Sequence, residues 1–146
     1  MHPRLNFINL AVQDLEKSLI FYRDGLGLPT EGIIGREFHD DITGAEGTIA
    51  FFELQGNLML GLYERSNLAK DASIPLDSQS STEFSLGYAV KTKEEVAKLI
   101  KKAVDAGATL TKEPHERPWG VYSGYFKDLD GHLWEITYDP RIKVEE

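Results

Sequence analysis

The strongest constraint on the fold is that one order of elements is implied twice along the chain. LNFINLAV alternates apolar and polar residues as a half-buried strand does. Asp14 then stands where a helix N-cap belongs. In DLEKSLIFYRDGLG, the residues Leu15, Leu19, Phe21, Tyr22 and Leu26 form an apolar stripe, and Gly25 and Gly27 close the helix. Short strands follow at EGIIG, TIAFFEL and LMLGLYE, the last two joined by a tight QGN turn at residues 55–57. After the polar segment RSNLAKDASIPLDSQSST, residues 65–82, read as a structure-poor connection, the order restarts. EFSLGYAV is a strand and TKEEVAKLIKKAVDAG a helix, with a Thr92/Glu95 capping box and Gly107 at its C-terminal end. Strands at ATLTK, YSGYFK and HLWEITY complete the second half, the last pair turning at DLDG.

Each half therefore reads βαβββ. FINLAVQDLEKS aligns with SLGYAVKTKEEV, and QGNLMLGLYE with LDGHLWEITY, so an internal duplication is the economical account. The predicted class is α+β, with two βαβββ modules pairing curved mixed sheets around a cleft. Module 1 spans residues 5–64, the connection 65–82 and module 2 83–140, within one domain over 1–146.

Strand alternation assigns two faces. The uniformly apolar set is Ile8, Leu10 and Val12, Leu58, Leu60 and Leu62, Phe84, Leu86, Tyr88 and Val90, and Trp134, Ile136 and Tyr138, expected to be core. The opposite face carries Phe7, Asn9, Met59, Gly61, Tyr63, Ser85, Gly87, Leu133, Glu135 and Thr137, the mixture of apolar and sparse polar groups expected of a pocket wall. Glu135, a carboxylate on an apolar strand, is expected to point into the cleft with Asn9, Tyr63 and Ser85. Trp119, Tyr122 and Tyr125, in PWGVYSGY, form an aromatic group that either closes over a ligand or seals a dimer contact or the end of the core.

The formal charge of −8 disfavours nucleic acid and anionic membranes as partners. No apolar run approaches a membrane span and MHPRLNFINL lacks a signal-peptide pattern, so a cytoplasmic location is expected. The chain has no cysteine, which excludes disulfides, thiolate metal sites and a cysteine nucleophile. Chemistry must come from carboxylates, Tyr, Ser, a borrowed cofactor or the four histidines, His2, His39, His115 and His132. His39 and His115 read as solvated loop residues and His132 as packing or capping the DLDG hairpin. REFHDDITGAEG and SNLAKDASIPLD read as surface loops, with a flap over the cleft as the alternative. No G-x-S-x-G elbow is present for a serine hydrolase.

INLAVQDLEKSLIFYRDGLGL and GYFKDLDGHLWEITYDP, set in a paired βαβββ frame, resemble the vicinal oxygen chelate superfamily, which contains glyoxalase I, extradiol dioxygenases, fosfomycin resistance enzymes and bleomycin-binding proteins. The resemblance covers nearly the whole chain. It implies a cleft in which metal-dependent members hold a divalent ion through residues on the first and last strands of each module. Those positions fall here on Phe7, Gly61, Ser85 and Glu135, of which only Glu135 matches. Three of the four positions are empty, and one carboxylate does not hold a catalytic ion against water, so no metal or other cofactor is expected. The resemblance also implies a homodimer.

Three functions follow as expectations. One is a binder of a small apolar or cationic molecule of the bleomycin-resistance kind, favoured by the acidic charge and the aromatic residues. Another is a metal-independent lyase or isomerase, with Glu135 as general base at a pKa raised by its apolar surroundings and Tyr63 or Asn9 polarising a substrate oxygen. The third is a metal-dependent glyoxalase or dioxygenase, against which Phe7, Gly61 and Ser85 argue.

Overall fold

A computed structural model describes residues 1–76 and 84–145. The chain divides into two compact units between residues 78 and 79.

Unit 1 contains strands β1 (Phe7–Val12), β2 (Ile33–Ile34), β3 (Ile49–Glu53) and β4 (Met59–Glu64) in the order β1-β4-β3-β2. β1 runs parallel to β4 and the other pairs are antiparallel. Helix α1 (Leu15–Ile20) starts where Asp14 accepts a hydrogen bond from the Lys17 amide at 3.1 Å, and continues into a wider π-helical turn, Phe21–Gly25. Both rings of that turn are buried, Phe21 edge-on to Tyr22 at 5.0 Å and Tyr22 against Phe52 at 5.9 Å. α1 lies on β3 and β4, so Leu10, Val12, Ala50, Phe52, Leu60 and Leu62 are buried on one face with Leu15 and Leu19.

Unit 2 repeats the plan with β5 (Ser85–Ala89), β6 (Thr109–Glu116), β7 (Tyr122–Lys127) and β8 (Leu133–Tyr138) in the order β5-β8-β7-β6. β5 is parallel to β8. Helix α3 (Lys93–Asp105) has the expected capping box: the Thr92 hydroxyl accepts from the Glu95 amide, and the Glu95 carboxylate accepts from the Thr92 amide. Val96, Ile100 and Ala103 are buried where α3 packs on β6, β7 and β8. Approach is close enough that a Cβ on Gly124 would stand 2.7 Å from Ile100 Cδ1, so a glycine is required there. Phe126 stacks on Trp134 at 6.3 Å, and Ile136 completes this core. No helix among the described residues is long and apolar enough to cross a membrane.

Three expectations are corrected. The start of the connection is helical: α2 (Arg65–Ala72) is rich in good helix formers, ends at Ser73 in the left-handed region (φ 54°), and packs on β1 and β4 with Asn67 and Ala69 buried. Residues 77–82 of that connection, and residue 83 at the start of module 2, lie outside the described residues. Phe84 and Tyr88, expected in the core, are 48% and 49% exposed. β5 is an edge strand, whereas α3 covers β6, β7 and β8, so the apolar face of β5 receives little cover. Ile8, Leu58, Leu86 and Tyr138 are only half-buried.

Candidate functional site

The two sheets share a register that fixes what each central polar residue faces. In unit 2, Glu135 pairs with Gly87 on β5 and with Tyr125 on β7. In unit 1, Gly61 occupies the matching place on β4 and pairs with Asn9 on β1 and Phe51 on β3. All of these lie on the faces away from α1 and α3, because their strand neighbours carry the buried core.

Glu135 is half-buried, and its carboxylate lies near enough to the Tyr125 hydroxyl to act on that phenol's ionisation. Burial and then the charge of Glu135 push the Tyr125 phenol above its usual range, while Arg117 opposes them. The phenol therefore stays protonated at neutral pH. Glu135 was expected to share a cleft with Asn9, Tyr63 and Ser85; within unit 2 the polar side chain beside it is Tyr125, its register partner on β7. The Arg117 guanidinium lies 5.7 Å from the centre of the Tyr125 ring. Its Nε donates to Ser123 Oγ at 3.1 Å and its Nη2 to the Ser123 carbonyl at 3.4 Å, and Ser123 is wholly buried. A carboxylate beside a protonated phenol can accept a proton or bind a cationic or hydrogen-bonding ligand.

Leu133 and Thr137 flank Glu135 on β8, both half-buried. Ser85 is exposed at the start of β5. Tyr122, by contrast, has the strand parity of Gly124 and Phe126 and belongs to the helix-packed face. Its ring lies 5.8 Å from Lys93 Nζ, and Lys93 pairs with Glu116, tying the start of α3 to β6. Trp119 is 61% exposed, and its carbonyl accepts from Arg141 Nη2 at 3.1 Å. Of the three aromatics, Tyr125 alone joins Glu135.

In unit 1, Phe7 is 59% exposed and Met59 half-buried. Asn9 Oδ1 is buried without a hydrogen-bond partner and lies where a Cβ on Gly61 would stand, with the Phe51 ring 3.0 Å from that point on another side. Tyr63 is buried and donates to the Glu46 carbonyl at 2.8 Å. Burial first, then the carboxylates of Asp71, Asp40 and Glu46, raise its phenol pKa. Tyr63 also lines an open surface depression of about 660 Å³ with Phe38, Ile42, Ala45 and the four carboxylates of Asp40, Asp41, Glu46 and Asp71. The loop forming this depression, within REFHDDITGAEG, is closed by a β-bridge between His39 and Glu46 and by their side-chain contact at 2.8 Å. Asn67 of α2 pins it by accepting from the Glu46 amide at 3.0 Å. Sequence reasoning treated this segment as a surface loop; the signal it passed over was apolar residues spaced among acids that a bridge could fold around a tyrosine.

Two of the remaining histidines, His132 and His115, have local partners. His132 is buried and meets Asp128 Oδ2 through Nδ1 at 2.7 Å, clamping the β7–β8 turn as expected. His115 Nδ1 lies 3.2 Å from the Glu113 carbonyl.

The positions that would hold a divalent ion do not fit one. Phe7 offers a ring, Ser85 a neutral hydroxyl on an exposed strand end, and Gly61 no side chain, its Cβ space being filled by the Asn9 amide. Within either unit, no three His, Asp or Glu side chains among the described residues converge as a metal-binding group.

Comparison with known proteins agrees with this architecture. Residues 4–136 match the model of the Glyoxalase/Bleomycin resistance protein/Dioxygenase superfamily. The uncharacterized protein YraH of Bacillus subtilis (strain 168) is 29% identical over 133 residues, 88% of this chain and 93% of that protein. The crystal structure of a glyoxalase-related enzyme from Fulvimarina pelagi superposes with a TM-score of 0.79 at 28% identity, over 98% of this chain and 93% of the other. A hypothetical protein of S. aureus superposes with a TM-score of 0.72 at 29% identity, over 94% and 95% of the two chains.

Proposed function

The chain belongs to the glyoxalase/bleomycin resistance protein/dioxygenase superfamily, and within it we propose that this protein binds a small cationic, partly apolar molecule without a metal ion. The observation that carries this reading is the unit 1 depression, which sets Phe38 and Ile42 beside four carboxylates around a buried tyrosine. His39 is its one basic lining residue, and Glu46 and Asp41 already face that ring. Such a lining attracts a cation by its field, and the exposed side chains of Phe38 and Ile42 can fold against an attached apolar group and cover part of it. The binder exists as a homodimer in the cytoplasm under this proposal.

The test is thermal stabilisation and calorimetry with benzyltrimethylammonium and larger quaternary ammonium compounds. Ligand at one hundred times Kd should stabilise the fold by about 2.7 kcal/mol. Asp40→Asn with Asp71→Asn should weaken binding, and added salt should weaken it further. Binding unchanged in that double variant would refute the assignment to this depression.

A second reading is favoured by the pairing of Tyr125 with Glu135 across β7 and β8: Glu135 acts as general base in a metal-independent lyase or isomerase, with Tyr125 restoring the proton. Glu135→Gln should then abolish turnover of any substrate found while leaving unfolding by urea unchanged; undiminished turnover would exclude the role.

A further inference from the structure

Arg117 differs from three other arginines of this acidic chain. Arg23, Arg36 and Arg141 lie against Asp24, Glu16 and Asp139 respectively. Arg117 is half-buried and has no carboxylate partner among the described residues, although the chain carries 24 acids. A desolvated cation without a counter-charge is unfavourable, and a ring face together with a serine compensates it only in part. Its orientation is nevertheless fixed. Nε and one Nη2 hydrogen are spent on Ser123, while the Tyr125 ring limits the guanidinium from the side. That leaves three of five N–H donors pre-aimed and unfilled.

The surroundings specify what would fill them. Lys112 pairs directly with Tyr125 across β6 and β7, adding a second cation along the same face. Glu135 acts on the hydroxyl end of Tyr125 while Arg117 lies against its ring, and the two charges make no ion pair with each other. Gly87, opposite Glu135, leaves open space: a Cβ placed there would touch nothing within 4 Å. The helix-free face of unit 2 thus offers a guanidinium fork for an acid group and, beside the same phenol, a carboxylate for a hydrogen-bond donor. A planar fork with free donors suits a carboxylate better than a diffuse cation patch does.

We infer that the helix-free face of unit 2 is a second binding site, in which Arg117 takes the carboxylate of a small organic acid and Glu135 takes a hydroxyl or amino group on the adjacent carbon. It is separate from the depression of unit 1 and does not rest on it.

Phenylacetate and mandelate differ by one such hydroxyl and serve as probes, titrated at constant ionic strength. The Nε–Hε resonance of Arg117 is followed by NMR, a readout that needs no variant. Both acids should shift this resonance saturably. Mandelate should bind about tenfold more tightly, the worth of one hydrogen bond to a charged acceptor, and Glu135→Leu, which removes the acceptor, should erase that ratio while phenylacetate still binds. Arg117→Gln should lose both acids, and Arg117→Lys should retain weakened binding. No saturable shift at Arg117, or equal binding by a folded Arg117→Gln variant, overturns the site. Equal affinities of the two acids overturn the role of Glu135. Binding of benzyltrimethylammonium in unit 1 should be unaffected by Arg117→Gln, so failure of one site is read independently of the other.

Discussion

Replacing Asp128 by alanine should be among the most destabilising single changes outside the apolar cores. Asp128 and His132 are each only 5% exposed. Asp128 Oδ1 accepts from the amides of Asp130 at 2.9 Å and His132 at 2.8 Å, and Oδ2 meets His132 Nδ1 at 2.7 Å. Alanine leaves the His132 amide and imidazole N–H buried without acceptors. Each such orphan costs about 1–3 kcal/mol, so the pair costs about 4 kcal/mol, a large share of the 5–15 kcal/mol that is typical of a whole domain. Asparagine separates geometry from charge. Its Oδ1 still accepts from both amides, and His132 can shift its proton to Nε2 and accept from the new Nδ2, so only charge assistance is lost, about 1–2 kcal/mol. Urea unfolding followed by the fluorescence of Trp134, which stacks on Phe126 in the same unit, reports both variants. A cost below about 1 kcal/mol for Asp128→Ala would refute the account of orphaned donors. Equal costs for the two variants would refute the division between acceptor geometry and charge.

Gly61→Ala should displace the Asn9 amide and destabilise by about 1–3 kcal/mol through overpacking, whereas Gly87→Ala, whose Cβ meets nothing within 4 Å, should be neutral or slightly stabilising by chemical denaturation. Thr92→Ala removes the α3 cap and should cost about 1 kcal/mol in the same assay. Tyr63 and Tyr125 have folded pKa values raised above the usual 10.0. The stability that this shift contributes is complete below pH 10 and is lost as pH rises through the folded values. Absorbance at 295 nm should therefore show these two phenols ionising later than free tyrosine, and Tyr125→Phe should remove one late step.

The repeated βαβββ order was legible because periodicity, capping and turn residues agreed at each element. Thr92 with Glu95 and Asp14 before Leu15 marked helix starts that tertiary packing then reinforced. Alternation located Leu10, Val12, Leu60, Leu62, Trp134 and Ile136 in the core, but it assumes that a helix covers the whole apolar face. That assumption failed at Tyr88 on the edge strand β5 and at Phe84 just before it. The same alternation put Glu135 on the helix-free face but could not name its partner. Tyr125 is ten residues away in sequence, and its pairing depends on the β7–β8 register. Tyr63 was assigned to a pocket wall by parity alone. Its hydrogen bond to the Glu46 carbonyl and its place beside Asp40 and Asp71 come from a long-range bridge in a loop, which no local pattern encodes.

The departures between the two halves are as informative as their likeness. Each helix-free face has one central acceptor opposite a glycine, but on different strands: Asn9 on β1 faces Gly61, and Glu135 on β8 faces Gly87. In unit 1 the neutral acceptor collapses onto its glycine and fills the space a side chain would need. In unit 2 the acceptor is a carboxylate beside Tyr125 and leaves its glycine uncovered. A duplicated frame with identical faces would bind identical groups. Moving the acceptor from the last strand to the first closes one face and leaves the other open. The unlike chemistry proposed for the two units, a cation at the acidic loop around Tyr63 and an organic acid beside Glu135, accompanies that exchange of position between an acceptor and a glycine.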